Sequence, residues 1–231
     1  MEAALANPAR RYRRFLATAE PDEALAKVLA TAKREAPLVV TRDALAGLLP
    51  DGAVHQGLAL ECQPLRQPAL ASLIADLGEA PATLVALDQV TDPQNVGAIL
   101  RSAAAFGAVA LLTTLDRAPE ESGVLAKAAS GALEIVPYLQ ETNLARALER
   151  LQKAGFWCVG LDESGQPLAD LPRSRRSVLV MGAEGGGLRR LTKSHCDHLC
   201  RLPTRPPIGT LNVSNAAAVA LYELSGRESG A

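Results

Sequence analysis

A chain of 231 residues with 48% hydrophobic and 21% charged side chains can bury one large core or two modest ones, and is too apolar to stay disordered. No apolar run approaches the roughly eighteen residues of a membrane span, and four cysteines are too few for a disulfide framework, so a cytoplasmic location is expected. A net charge of −1 excludes a generic nucleic-acid sponge.

The first 62 residues alternate helical and short extended patterns. A helix is expected over Ala24–Ala32, a short strand at Leu38–Val40, a helix from Asp43 to Leu49 capped by Thr41, and a closing strand at Gly57–Leu60. Arg10, Arg11, Arg13 and Arg14 cluster near the start. A transit peptide is the other reading of that cluster, but Asn7-Pro8 breaks the amphipathic helix it would need. Pro64, Pro68 and Pro81 make residues 63–81 a linker without strands.

From residue 82 strands and helices alternate. Strands are expected at Leu84–Leu87, Val109–Leu112, Leu133–Val136, Phe156–Leu161 and Ser177–Met181. The helices are Asn95–Phe106, Val124–Gly131, one from its cap Asn143 to Ala154, and Asn212–Glu223. Near-continuous apolar strands separated by helices indicate an α/β fold with a parallel sheet covered on both faces.

Three segments carry chemistry. Asp92-Pro-Gln-Asn95-Val-Gly-Ala-Ile-Leu-Arg101 follows a strand through a polar turn, and its amide and guanidinium help no core. Met181-Gly182-Ala-Glu184-Gly-Gly-Gly-Leu188 lacks the Lys-Ser/Thr of a phosphate loop and the glycine spacing of a dinucleotide site. It reads either as a tight strand–helix turn or as a ligand-facing loop, and Glu184 within it invites a hydrogen-bond partner. In Thr210-Leu211-Asn212-Val-Ser214-Asn215, the polar residues exceed what capping a helix requires, and Ala216–Ala218 permit close backbone packing.

Two further patterns are less specific. Residues 173–205 hold eight basic side chains against Glu184 and Asp197, which suits either one phosphate-contacting face or a solvated surface. His195-Cys196-Asp197-His198-Leu-Cys200 resembles no paired zinc pattern, and so many ligands in six residues cannot readily surround one ion; no metal is expected.

Taken in order and at their spacing, the three segments resemble the SpoU/TrmH branch of the SPOUT methyltransferases, the RNA ribose 2′-O-methyltransferases. The resemblance covers about residues 82–229. Residues 1–62 resemble the small α/β, ribosomal-protein-like RNA-binding domain of the 23S rRNA guanosine methyltransferases. That domain usually opens on a short strand, so the resemblance implies a chain that begins one strand late.

The resemblance implies a domain over 82–231 with a deep C-terminal trefoil knot that binds S-adenosylmethionine, and a homodimer joined at the knots. It implies catalytic or site-organising roles for Asn95, Arg101, Glu184, Thr210 and Asn212, and cofactor contacts at Met181, Gly182, Leu202, Ile208 and Leu211. RNA would be held by Arg10, Arg11, Arg13, Arg14 and Arg101. Thr210 stands where Ser is common, and Asn215 where a small apolar residue is common. Arg101 is the family's proposed base. Because a guanidinium hardly deprotonates, gripping the target phosphate or the developing alkoxide is the preferred role, with Glu184 and Asn95 holding Arg101 and the ribose.

The implied activity is 2′-O-methylation of a ribose, a guanosine of 23S rRNA before tRNA. A non-catalytic RNA-binding homologue and a nucleotide-dependent oxidoreductase are the rival classes. Intact Asn95, Arg101, Glu184 and Asn212 oppose the first, and the glycine spacing opposes the second.

Overall fold

The computed structural model describes residues 1–172, 174–207 and 209–226, and the chain divides into two compact units, Met1–Arg66 and Gln67–Ala231. Among the described residues no helix is long and apolar enough to cross a membrane.

The first unit runs α1 (Glu2–Ala6), β1 (Tyr12–Ala17), α2 (Glu23–Ala32), β2 (Leu38–Val39), α3 (Arg42–Ala46) and β3 (Leu58–Cys62). Its sheet has the order β2-β1-β3, with β1 parallel to β2 and antiparallel to β3. Asp22 and Thr41 cap α2 and α3 by accepting from Leu25 and Ala44 N–H. Leu5, Phe15, Leu25 and Leu29 form the small core.

Sequence patterning misses β1, because Arg13 and Arg14 mask an apolar run that begins only at Phe15. Arg34 stitches this unit together. Its guanidinium donates to the carbonyls of Leu5, Asn7 and Arg10 and lies over the Tyr12 ring, tying the end of α1 to the segment that leads into β1.

The second unit opens with α4 (Leu70–Leu77), a helix inside the expected linker. Leu70 is 1% exposed and packs on Leu84 and Leu139, so the prolines bound a helix rather than an irregular tether. There follow β4 (Ala82–Asp88), α5 (Pro93–Ala105), β5 (Ala110–Thr114), α6 (Gly123–Ala129), β6 (Tyr138–Glu141) and α7 (Leu144–Lys153). The unit continues with β7 (Trp157–Pro167), β8 (Arg176–Gly182), α8 (Arg190–Ser194), β9 (His198–Arg201) and α9 (Val213–Gly226).

The six strands pair in the order β6-β5-β4-β8-β7-β9, all parallel. Strand alternation splits the core into two layers. Val85, Leu87, Leu179 and Met181 face α5, α6 and α9; Leu84, Ala86, Val178 and Val180 face α4 and α7.

The expected strand at Leu133–Val136 is instead a 3₁₀ turn at Ala132–Glu134, and the strand begins after Pro137, at Tyr138. Leu133 and Val136 are buried all the same. A short apolar run reports burial without reporting period.

Candidate active site

β4 and β8 lie side by side at the centre of the sheet, in register from Ala82–Arg176 to Asp88–Gly182. From β4 the chain steps outward to β5 and β6, and from β8 it crosses beyond β7 to β9, so the order reverses between them. Crevices at the carboxyl ends of strands at such a reversal are where parallel sheets bind ligands.

Three segments meet there. Beyond β4, Asp92 caps α5 by accepting from Gln94 N–H, and Pro93 occupies the first turn, which sets Asn95 at the helix mouth. Beyond β8, residues 183–187 fold back on themselves, closed by Gly187 N–H donating to the Ala183 carbonyl. Gly182 makes that return possible: a Cβ there would run into the backbone of Gly187 and Leu188. The third segment is the start of α9. Asn212 Oδ1 accepts from Ser214 N–H at 2.9 Å, Ser214 Oγ at 2.6 Å and Asn215 N–H at 3.4 Å.

Because its oxygen is committed to the cap, the Asn212 amide can only turn its Nδ2 outward. It donates to Glu184 Oε1 at 2.5 Å and to Asn95 Oδ1 at 3.0 Å. Asn95 Nδ2 donates to the same carboxylate oxygen at 3.3 Å, and Val213 N–H at 3.5 Å. Residues 89 and 28 positions from Glu184 thus close on one carboxylate, which also sits at the positive end of α9.

Beside this cluster opens a cleft of about 830 Å³, a size typical of small-molecule sites. Met181, Gly182, Leu202, Thr210 and Leu211 line it, as do Glu184 and Asn212. Leu211 is 42% exposed, an apolar side chain left uncovered at the rim. Ile208 lies outside the described residues.

On another wall, Asp162 pairs with Lys193 and accepts from Ser164. Burial alone would raise the Asp162 carboxyl, but the Lys193 and Ser164 hydrogen bonds outweigh it and hold the group below its usual range. Neither Asp162 nor Lys193 is singled out by sequence; a carboxylate inside β7, where Leu161 and Gln166 both pair with Cys200 and the residues between loop outward, is the available signal.

Other expectations fare differently. Arg101 is exposed on α5, and among the described residues its side chain makes no ion pair or hydrogen bond; Glu184 holds the two asparagines rather than Arg101. Arg10 is a correction. It is 4% exposed and donates Nη1 to the Gln63 carbonyl, so it braces the first unit and cannot meet a phosphate. Arg13 and Arg14 share Glu61, and Arg11 is exposed.

The basic stretch is not one face. Arg176 donates to the Gly78 carbonyl and lies over Phe156, Arg189 binds Asp88, Lys193 binds Asp162, and Arg201 donates to the Gly165 carbonyl. Arg175, Arg190 and Arg205 are exposed, and Arg173 lies outside the described residues. The His195–Cys200 cluster is dispersed. His195 bonds Glu149, and Asp197 accepts from Cys158 N–H and Gln152. Burial, then Asp197, pushes the Cys196 thiol up to about 12.

The profile of the SpoU rRNA Methylase family matches residues 82–222. The chain belongs to that family. It is 44% identical over 175 residues to the 23S rRNA (guanosine-2′-O-)-methyltransferase RlmB of Pseudomonas aeruginosa, covering 74% of this chain and 70% of that one. Identity to the protein of the same name from Escherichia coli K12 is 44% over 177 residues, covering 75% and 72%. Among solved structures, the SpoU methyltransferase AviRb of Streptomyces viridochromogenes in complex with AdoMet superposes with a TM-score of 0.78. That match is at 24% identity and covers 100% of this chain and 89% of that one. All three segments that build the cluster and cleft lie within the SpoU match.

Asn212 bonds the Glu184 carboxylate and caps its helix at once, and the two roles separate by substitution. Asn212→Ala should cost about 1 kcal/mol in urea denaturation through loss of the cap. Asn212→Asp keeps the capping oxygen but sets a carboxylate beside Glu184, so stability should recover only when Glu184→Gln is added. Wild-type stability in Asn212→Ala would show that the residue caps nothing.

Proposed function

We propose that this chain transfers a methyl group from S-adenosylmethionine to the 2′-hydroxyl of a guanosine ribose in 23S rRNA. The observation that carries the reading is the Asn95–Glu184–Asn212 cluster at the rim of the cleft, within a chain whose 44%-identical relatives are named for that reaction. The cleft suits the cofactor chemically. Met181, Leu202 and Leu211 offer apolar contacts for an adenosine, while the glycine turn brings bare main chain to the same wall. When bound there, the cofactor supplies a methyl group already activated by a sulfonium.

The chain's own work is then alignment and charge. Glu184 fixes the two amides, so that Asn95 and Asn212 present a rigid edge to the ribose, and Thr210 adds a hydroxyl at the cleft wall. Arg101 supplies a guanidinium with its fork of N–H donors. It grips the target phosphate or the alkoxide that forms as the hydroxyl loses its proton. A ribose 2′-hydroxyl is also what distinguishes RNA as the substrate.

Three wider features belong to this reading. The first is a deep trefoil knot formed by the C-terminal segments. It is supported at Gly165, where a Cβ would run into the backbone of Leu199 and Cys200, so that main chain passes directly against main chain distant in sequence. The second is a homodimer through α9. Asn215, Val219 and Tyr222 share one exposed face there, and the Tyr222 ring leans edge-on against Phe106 of α5. The third is RNA selection by the first unit, through Arg11, Arg13 and Arg14. A cytoplasmic location fits a ribosomal substrate and four free cysteines.

Incubation with labelled S-adenosylmethionine should label 23S rRNA, not tRNA, at a guanosine ribose. Arg101→Ala should lower the rate by about 100- to 1000-fold while cofactor binding persists. Near-normal turnover in that variant would remove Arg101 from the mechanism, and labelling of tRNA instead would overturn the substrate.

Sedimentation at micromolar concentration should give a dimer, and Tyr222→Asp a monomer; a monomeric wild type contradicts the seam.

Replacing Arg11, Arg13 and Arg14 with Ala should weaken RNA binding and reduce its salt dependence by about one unit of slope for each phosphate the cations neutralise. Unchanged slope would show that the first unit does not hold the RNA through these residues.

A further inference from the structure

Resting on that reading, we propose that Asp88 and Arg189 form a clasp that positions the glycine turn, and through it Glu184, for methyl transfer. Asp88 is the last residue of β4 and is 0% exposed. Its backbone stands opposite Gly182 in the β4–β8 ladder, at the root where the turn leaves the sheet. Its side chain takes the other root. Oδ2 accepts from Arg189 N–H at 2.9 Å and Oδ1 from Arg189 Nε at 2.7 Å. One residue therefore holds both ends of the segment between Gly182 and Arg189.

Between those roots the main chain of the turn has few bonds of its own. Residues 184–187 are all exposed, and the turn's internal main-chain bonds are Gly186 N–H to the Glu184 carbonyl and Gly187 N–H to the Ala183 carbonyl. Leu188 is 3% exposed and anchors one side in the core. The Glu184 carboxylate must nevertheless sit within hydrogen-bond reach of two asparagines on other elements. A glycine-rich turn meets that requirement only if its roots do not drift, because glycines lose the most conformational freedom on being fixed. A buried carboxylate meeting a main-chain N–H with one oxygen and a guanidinium with the other is a stiff root. Opening it would leave an unpaired charge in the core. The guanidinium meanwhile keeps its outer edge half in solvent, with 50% of the side chain exposed, so it is the part that can be removed without opening a cavity.

Asp88 and Arg189 are thus positioning residues, and two variants test them. Arg189→Met removes the guanidinium but keeps the main-chain N–H bond; Asp88→Asn keeps the shape and puts a donor where one acceptor was. In Arg189→Met, amide hydrogen exchange across residues 184–187 should rise about tenfold in the chain alone. Calorimetric affinity for S-adenosylmethionine should fall, and single-turnover transfer at saturating cofactor should drop roughly ten- to hundredfold, the cost of a small misplacement. RNA affinity should stay within about twofold. Combined with Glu184→Gln, the loss should be smaller than the product of the single losses, since both act on one group.

Wild-type exchange and cofactor affinity in a folded Arg189→Met would overturn the clasp, as would losses that multiply independently. If Asp88→Asn does not fold, Arg189→Met alone decides. Should the wild-type chain transfer no methyl to ribosomal RNA, the proposed function fails, while exchange and cofactor binding still judge the clasp.

Discussion

The parallel pairing of β4 with β8 is the constraint on which the rest of the second unit depends. Seven residues on each strand stand opposite one another, and the pairing ends at the same level, Asp88 against Gly182. The chain then leaves the two strands in different ways, into a capped helix from one and a glycine turn from the other. Their functional residues meet because their roots are neighbours. A slip of one residue would swap the two core layers, turning Leu84 and Ala86 toward α5 and Val85 and Leu87 toward α7. It would also carry Asn95 away from Glu184. The apolar alternation that stabilises the sheet is thus what keeps the polar cluster assembled.

Much of this is legible in the residues themselves, and the limits have physical causes. Asn143 and Thr41 are readable as caps because capping is local, needing one side-chain oxygen and an N–H three residues on. The run Leu84–Leu87 is readable as a strand because burial on both faces leaves no polar position in it. Leu133–Val136 misleads because a 3₁₀ turn and a strand can bury the same apolar residues. Arg10 misleads for the opposite reason. Charge suggests a surface, but this guanidinium has a carbonyl partner 53 residues away, and nothing local announces one. The basic stretch is similar: the partners of Arg189 and Arg176 come from the far side of the fold in sequence, at Asp88 and Gly78.

The candidate site shows the same division. Each of Asn95, Glu184 and Asn212 stands out in its own segment as more polar than its element needs. What no segment contains is their mutual geometry, since Glu184 and Asn95 are 89 positions apart. Family resemblance sets Glu184 against Arg101, yet the carboxylate takes the two asparagines. The reason lies in α9: Asn212 gives its oxygen to the helix terminus, so its amide nitrogen has to find acceptors, and it finds the carboxylate on the glycine turn together with the Asn95 carbonyl oxygen. A capping requirement thereby decides which way a site residue points.

That choice has a consequence for charge. Had Glu184 paired with Arg101, the site would present a neutral ion pair to an approaching polyanion, and binding would first have to break it. With the carboxylate held by amides and by the positive end of α9, the Arg101 charge is left whole on the exposed face of α5. An uncompensated guanidinium contributes little to a fold and is well suited to a phosphate, which it can meet through two parallel hydrogen bonds. Under the proposed function, Glu184 and the Asp162–Lys193 pair of the cleft wall are already engaged with protein partners, whereas the exposed Arg101 is open to a polyanion. Salt should therefore weaken RNA binding far more than cofactor binding.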